Sequence, residues 1–203
     1  MNDAILQGME IEPEKRTPTV LKFRENLGLV VQPRRTPPPN PLPASEEGGL
    51  KSSCEMDYRK LRDYLAQGKW KEADEETLRV MLAVAKREME GWLDDKSIDN
   101  FPCEDLRTID HLWLKYSNGR LGFSVQKRIY QGLVGTGEWD GDIRPTGDKV
   151  GWRKRGNWLY YNDITFDKKA PEGHLPSLFS ISWGSYYIFR WEYFFSHVET
   201  CKL

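Results

Sequence analysis

Proline divides this chain in two. Eight of its twelve prolines lie in residues 1–52, five of them in the run Arg34-Arg35-Thr36-Pro37-Pro38-Pro39-Asn40-Pro41-Leu42-Pro43. Proline fixes φ and lacks the backbone donor, so this run can join neither a helix interior nor a sheet. The same 52 residues hold one aromatic of the chain's 25, Phe23, and their charges balance at seven acidic and seven basic groups. A segment with so little to bury is read as a disordered or polyproline II arm, and a proline-rich ligand for an SH3-like partner is the functional alternative. Residues 21–31 could form one short amphipathic element. The folded part is therefore expected over 53–203.

The whole chain has 203 residues, 30% of them charged, and a formal net charge of −1. That balance gives no global pull toward nucleic acid or an anionic membrane. No stretch nears 18 consecutive apolar residues, so no span of a bilayer is expected. Asp3, Glu10 and Glu12 argue against a secretory signal or a transit peptide. Three cysteines, Cys54, Cys103 and Cys201, are odd in number and widely spaced. They exclude a disulfide framework, argue against structural zinc, and point to reduced thiols.

From Asp57 onward helical periods appear. Asp57 can cap a first helix with Tyr58, Leu61 and Leu65 inward and Gly68 as its stop. A second helix, about 70–89, carries the stripe Trp70, Ala73, Thr77, Val80, Met81 and Val84. Its Glu72, Asp74, Glu75 and Glu76 read as a solvated face near the helix N-terminus. Residues 90–101 read as loop. A third helix begins after Pro102, with Leu106, Ile109, Leu112, Trp113 and Tyr116 on one face, and stops at Ser117-Asn118-Gly119. A fourth follows Ser124 with Val125, Ile129 and Leu133. Residues 150–176 read as loop with short turns, and in the aromatic C-terminal segment period alone cannot separate helix from strand. The fold class is all-α, one helical domain with long loops.

No catalytic set is found. Gly135-Thr136-Gly137 lacks the strand–turn–helix context of a phosphate loop. His111, His174 and His197 show no metal-ligand spacing; His111 is expected exposed and His174 bonded to a backbone carbonyl. Cys103 in a first helical turn has Glu104 and Asp105 beside it, which oppose a reactive thiolate. The unusual feature is aromatic density: fourteen of the 25 aromatics lie in residues 152–195. Charge is uneven too, net −4 over residues 57–110 and net +5 over 111–160, with Lys127, Arg128, Arg153, Lys154 and Arg155 the densest positive spots. Rings beside cations suit a flat anionic ligand, and also single-stranded nucleic acid. Composition alone favours a plainer reading, in which the rings are core and the charges surface.

Longer motifs shift that balance. Phe101-Pro102-Cys103-Glu104-Asp105-Leu106-Arg107-Thr108-Ile109-Asp110-His111-Leu112-Trp113 continues through Lys115-Tyr116-Ser117-Asn118-Gly119-Arg120-Leu121-Gly122-Phe123-Ser124-Val125-Gln126-Lys127-Arg128. With Ala73-Asp74-Glu75-Glu76-Thr77, Val150-Gly151-Trp152, Phe166-Asp167 and Ala170-Pro171-Glu172-Gly173-His174-Leu175-Pro176, this order resembles the genomes-uncoupled-four porphyrin-binding domain over about 57–178. Residues 179–203 then form an aromatic C-terminal extension.

The resemblance implies a helical fold shaped like a cupped hand and no catalysis. It implies binding of protoporphyrin IX or Mg-protoporphyrin IX, and stimulation of magnesium chelatase through its porphyrin-binding large subunit. It places the protein in a cyanobacterial cytosol or a plastid stroma, with room for peripheral membrane association, while the near-zero net charge argues against a nucleic-acid partner. Two loops would flank the ligand, one at about 88–101 with Trp92 and Leu93, the other at about 152–176 with Trp158, Tyr160, Tyr161 and Phe166. Phe123 joins the ligand-facing set, no residue is assigned to metal, and Arg153, Lys154 or Arg155 would meet the propionates. Burying a few hundred Å² of macrocycle would contribute about 5–10 kcal/mol before ordering costs. Between Pro176 and Arg190 there is no arginine. That gap leaves a second reading open: a paralogous signalling or interaction module with the same fold and a different tetrapyrrole, or none.

Overall fold

A computed structural model describes residues 50–134, 143–177 and 191–203, apart from the side chains of Val134 and Glu192. The arm 1–49, with its prolines and the 21–31 element, lies outside the described residues, as do Gly135, Gly137 and Gly141. Among the described residues there are seven α-helices and one two-stranded hairpin, so the all-α expectation holds. They are α1 (Arg59–Ala66), α2 (Trp70–Val84), α3 (Asp95–Asp99), α4 (Cys103–Ser117), α5 (Phe123–Val134), α6 (Arg144–Lys149) and α7 (Trp191–Thr200). The hairpin pairs β1 (Arg153–Lys154) with β2 (Asn157–Trp158).

The apolar stripes explain the packing. Leu61 and Leu65 of α1, Ala73, Val80 and Met81 of α2, and Leu106, Ile109 and Trp113 of α4 all lose nearly all contact with water. The indole of Trp113 donates to Thr77 Oγ1 at 2.9 Å, and that hydroxyl donates to Ala73 O at 2.8 Å, so the buried polar atoms of this layer are paired. In α5 the inner face is Phe123, Gln126 and Tyr130 more than the expected Val125, Ile129 and Leu133 stripe, of which only Val125 is buried. Phe123 meets Phe194 of α7 edge to face at 5.1 Å.

Several sequence expectations are corrected. Helix α2 ends at Val84, not near 89. Lys86 takes φ 56, its N–H bonds Ala83 O, and Arg87 N–H bonds Leu82 O at 2.8 Å; this is a Schellman stop with lysine in the place usually held by glycine. The 90–101 loop contains α3, whose N-cap Asp94 accepts from Ser97 N. Asp74 and Glu76 are buried, not solvated. Glu76 is gripped by Lys60 of α1 at 2.7 Å and by Arg79 at 2.6 Å. The folded unit also starts before residue 53. Thr108 donates to Lys51 O at 2.6 Å, and the buried Asp105 carboxylate accepts from Ser52 Oγ, Ser53 N and Tyr58 Oη.

The largest correction concerns sulfur. Cys103 and Cys201 form a disulfide, and Cys54 is the free, exposed cysteine. The bridge joins the first residue of α4 to the residue just past α7. Sequence separation hid it: the partners are 98 residues apart, and nothing in local spacing brings them together.

Candidate functional site

The segment after α6 carries the expected rings and cations. Arg155 and Gly156 take φ 52 and 84, the double left-handed turn that fits the twist of a two-residue hairpin. This turn sets Arg153 opposite Trp158 and Lys154 opposite Asn157. The Trp158 ring lies over Gly147 of α6. A Cβ at Gly147 would fall 2.6 Å from the ring carbons Cη2 and Cζ3 and 3.0 Å from Arg153 Cδ. Glycine there is what lets the indole lie against the helix.

Arg153 is committed within this unit. It donates to Asp148 Oδ2 at 2.8 Å and to Gly156 O, and its guanidinium sits 5.5 Å from the Trp158 ring centroid. Only 10% of its side chain is exposed. Lys154 and Arg155 are exposed, as are Trp158 at 39% and Tyr160 at 67%. Tyr161 and Phe166 are half-buried, meet edge to face at 5.2 Å, and lie under Lys71 of α2, whose Nζ is 6.0 and 5.8 Å from the two centroids.

Two buried titratable groups hold this segment in place. His174 donates from Nδ1 to Val150 O at 2.7 Å and accepts from Thr165 N at Nε2 at 3.0 Å, which fixes the neutral tautomer. Burial holds its pKa below the usual value, opposed by the bond to Val150. The carbonyl of His174 accepts from the Trp152 indole at 2.8 Å. Asp74 of α2 accepts from Ser177 N at 2.6 Å and Ser177 Oγ at 2.8 Å. Full burial pushes its pKa up to about 6, opposed by the hydrogen bonds from Ser177 and Tyr161. The expected carbonyl bond of His174 is present and His111 is exposed, as read from sequence.

The structure does not gather all ten expected ligand-facing residues. Phe123 is fully buried and Leu93 is 5% exposed; both belong to the core and offer no face to a ligand, because apolar stripes of α5 and the α2–α3 connection point inward. Arg153 is spent on its own hairpin. Trp92 is half-buried under the Arg87 guanidinium, 4.9 Å from the ring centroid. Trp92 thus lies by Arg87, just past the C-terminal end of α2, while Tyr161 and Phe166 lie by Lys71 in its first turn, and the helix between is about 22 Å long. Trp152, Trp191, Phe194 and Phe195 stack on one another in the core, Trp152 on Trp191 at 4.6 Å and Trp191 on Phe195 at 5.5 Å. Phe179, Trp183, Tyr186, Tyr187 and Phe189 lie outside the described residues. Among the described residues of the expected set, Lys154, Arg155, Trp158 and Tyr160 are exposed, and Tyr161 and Phe166 are half-buried beside Lys71.

Sequence reading missed two further groups. Lys71 is one, since a lysine in a first helical turn carries no signal of the rings beneath it. The other is His197, read as isolated, which lies with Cys103 and Cys201 in a cluster whose donor atoms fall within 4.8 Å of one another. No described helix is long and apolar enough to cross a membrane.

Residues 51–190 match the GUN4-like family model. The chain is 35% identical over 132 residues to a Ycf53-like protein of Synechocystis, covering 64% of this chain and 54% of that protein. It is 37% identical over 75 residues to the chloroplastic tetrapyrrole-binding protein of Arabidopsis thaliana, covering 34% of this chain and 27% of that one. The chain thus spans about half the length of the Synechocystis relative, and less of the Arabidopsis one. Its fold superposes on GUN4 of Chlamydomonas reinhardtii with TM-score 0.56 at 26% identity, over 74% of this chain and 93% of that structure. Ligand-free Arabidopsis GUN4 gives 0.53 at 26% identity, over 63% and 92%. The family model spans more than half of the chain, the relatives and folds agree with it, and the chain belongs to the GUN4-like family.

Proposed function

We propose that this protein binds a tetrapyrrole, protoporphyrin IX or Mg-protoporphyrin IX, without catalysis, and regulates magnesium chelatase through that enzyme's porphyrin-binding large subunit. The observation that carries the reading is the exposed pair Trp158 and Tyr160, next to exposed Lys154 and Arg155, on a GUN4-like chain. Exposed rings stack on a macrocycle face, and cations at the rim meet its propionates. The family, and a relative named for tetrapyrrole binding, support the ligand class.

Titration with a water-soluble deuteroporphyrin, followed by tryptophan quenching, tests the reading. Saturable quenching is expected, with affinity falling at least about tenfold, or 1.4 kcal/mol, in Trp158→Ala/Tyr160→Ala. Absence of saturation, or an unchanged double variant, overturns it. Magnesium insertion assayed with purified chelatase subunits, with and without the protein, tests the partner. The second reading, an interaction module with another tetrapyrrole or none, is favoured by one observation: Arg153 is already paired to Asp148, which leaves fewer cations for propionates. It predicts capture of signalling proteins without chelatase subunits.

A further inference from the structure

The chemistry outside that candidate site is concentrated where α7 meets α4. Cys201, immediately after α7, is fully buried and bonded to Cys103, the half-buried first residue of α4. His197, one turn earlier, places Nε2 3.5 Å from Cys201 Sγ and 2.7 Å from Phe101 O. Donation of the Nε2–H to Phe101 O orients the imidazole edge along the sulfur. Arg107 donates to Cys201 O at 2.8 Å and holds the backbone there. The relatives come from a cyanobacterium and a chloroplast, and in reducing compartments a protein disulfide is usually transient and redox-sensing rather than structural.

We propose that Cys103–Cys201 is a thiol–disulfide exchange site, reduced by a protein dithiol, whose opening frees α7 from α4. The two sulfurs are not equivalent. Cys103 is half-buried where Cys201 is fully buried, so the incoming thiolate is assigned to Cys103 Sγ, with which it forms a mixed disulfide. The S–S bond breaks and its electron pair leaves on the buried Cys201 Sγ, and the His197 Nε2–H turns from Phe101 O to the new thiolate 3.5 Å away. The second thiol of the reductant then attacks the reductant's own sulfur in the mixed disulfide, which leaves as the oxidised reductant, and releases Cys103 as a thiolate at the N-terminus of a 15-residue helix, where the dipole favours the anion and Glu104 and Asp105 oppose it. Two electrons pass to the protein, and the two thiolates take up protons from water. The opening reaches the aromatic segment, because Trp191 of α7 stacks on Trp152, which directly precedes Arg153 of the hairpin. The inference does not depend on the ligand proposed above.

The test uses the full chain purified without reductant. Alkylation and intact mass are expected to show one reactive thiol, Cys54, and three after incubation with dithiothreitol at native pH. Reduction is expected to raise hydrogen exchange in residues 191–203 by about tenfold or more. Cys201→Ser should show the raised exchange without reductant. His197→Asn should slow reduction several-fold while leaving exchange in the oxidised protein unchanged. Three reactive thiols before any reductant, stoichiometric zinc held by the reduced cluster, a bond that resists dithiothreitol until the protein unfolds, or exchange unchanged on reduction would each overturn the proposal.

Discussion

At the residue scale, Asp74 shows how one buried carboxylate ties distant parts of the chain. Its α2 backbone is set by local helix propensity, but its partner Ser177 lies 103 residues away, behind Leu175 and Pro176. Burial raises its pKa from 3.8 to about 6. The folded state therefore binds more protons than the unfolded state between those values, and stability falls as pH rises through that window. In Asp74→Asn this dependence disappears, while the amide oxygen still accepts one of the two Ser177 donors. Chemical denaturation of both proteins at several pH values from 3.5 to 7 is the measurement. The variant is expected to gain on the parent by an amount on the order of 3 kcal/mol across the window. A stability difference that stays flat with pH would show that the carboxylate is not protonated in the fold. His174 acts with the opposite sign. Its lowered pKa means that protonation below 6.5 opposes folding, so its contribution is present above 6.5 and is lost as pH falls below it.

At the element scale, the hairpin and α6 form one unit through a missing side chain. Gly147 carries no Cβ, and Trp158 and Arg153 fill the space where one would stand. Alanine at 147 suits the helix better by about 0.5–1 kcal/mol, yet its methyl would lie inside the indole. Gly147→Ala is therefore expected to leave overall stability within about 1 kcal/mol while lifting Trp158 from α6. Indole N–H resonances should show Trp158 moving toward solvent-like shifts with Trp113 and Trp152 unchanged, and an unmoved Trp158 resonance would refute this packing. The same elements show what a sequence discloses. Helix α4 was legible because Pro102 marks its start, its apolar period is sustained, and Asn118 and Gly119 both adopt left-handed φ, 58 and 74; of α5 the existence was legible but not the inward face. The end of α2 was not, because Lys86 takes the conformation that glycine normally announces. The hairpin escaped for a similar reason: its first turn residue is Arg155, and two-residue strands have no period to read. Of the candidate site, composition disclosed only aromatic density beside basic residues and favoured rings in the core; that Trp158 and Tyr160 stay exposed is a tertiary outcome. The burial of Phe123 and Leu93 and the pairing of Arg153 were likewise not legible, since each is decided by tertiary neighbours.

At the scale of the whole molecule, closure is the organising fact. The strap at residues 50–56 docks on α4 through Asp105 and Thr108, and α7 docks on the other end of the chain's path through Cys103, so α4 anchors both flanks of the described fold. Helix α7 is held besides by Lys127, which bonds Glu199 at 2.7 Å and Leu203 O, and by the buried Phe194, Phe195 and Val198. A cross-link spanning 98 residues limits the unfolded chain, which contributes about 2–4 kcal/mol, besides fastening α7 in the folded one. Cys103→Ala, Cys201→Ala and the reduced parent protein should then lose nearly the same stability. Urea midpoints should fall by about 1–2 M in all three, while Cys54→Ala stays with the oxidised parent. The agreement among the three is the discriminating result. Cys201 is fully buried and Cys103 is not, so a stabilisation arising from side-chain packing would make Cys201→Ala clearly the worse variant. Equal losses assign the effect to chain closure; a gap between the two alanine variants that persists after reduction assigns it to the core around α7.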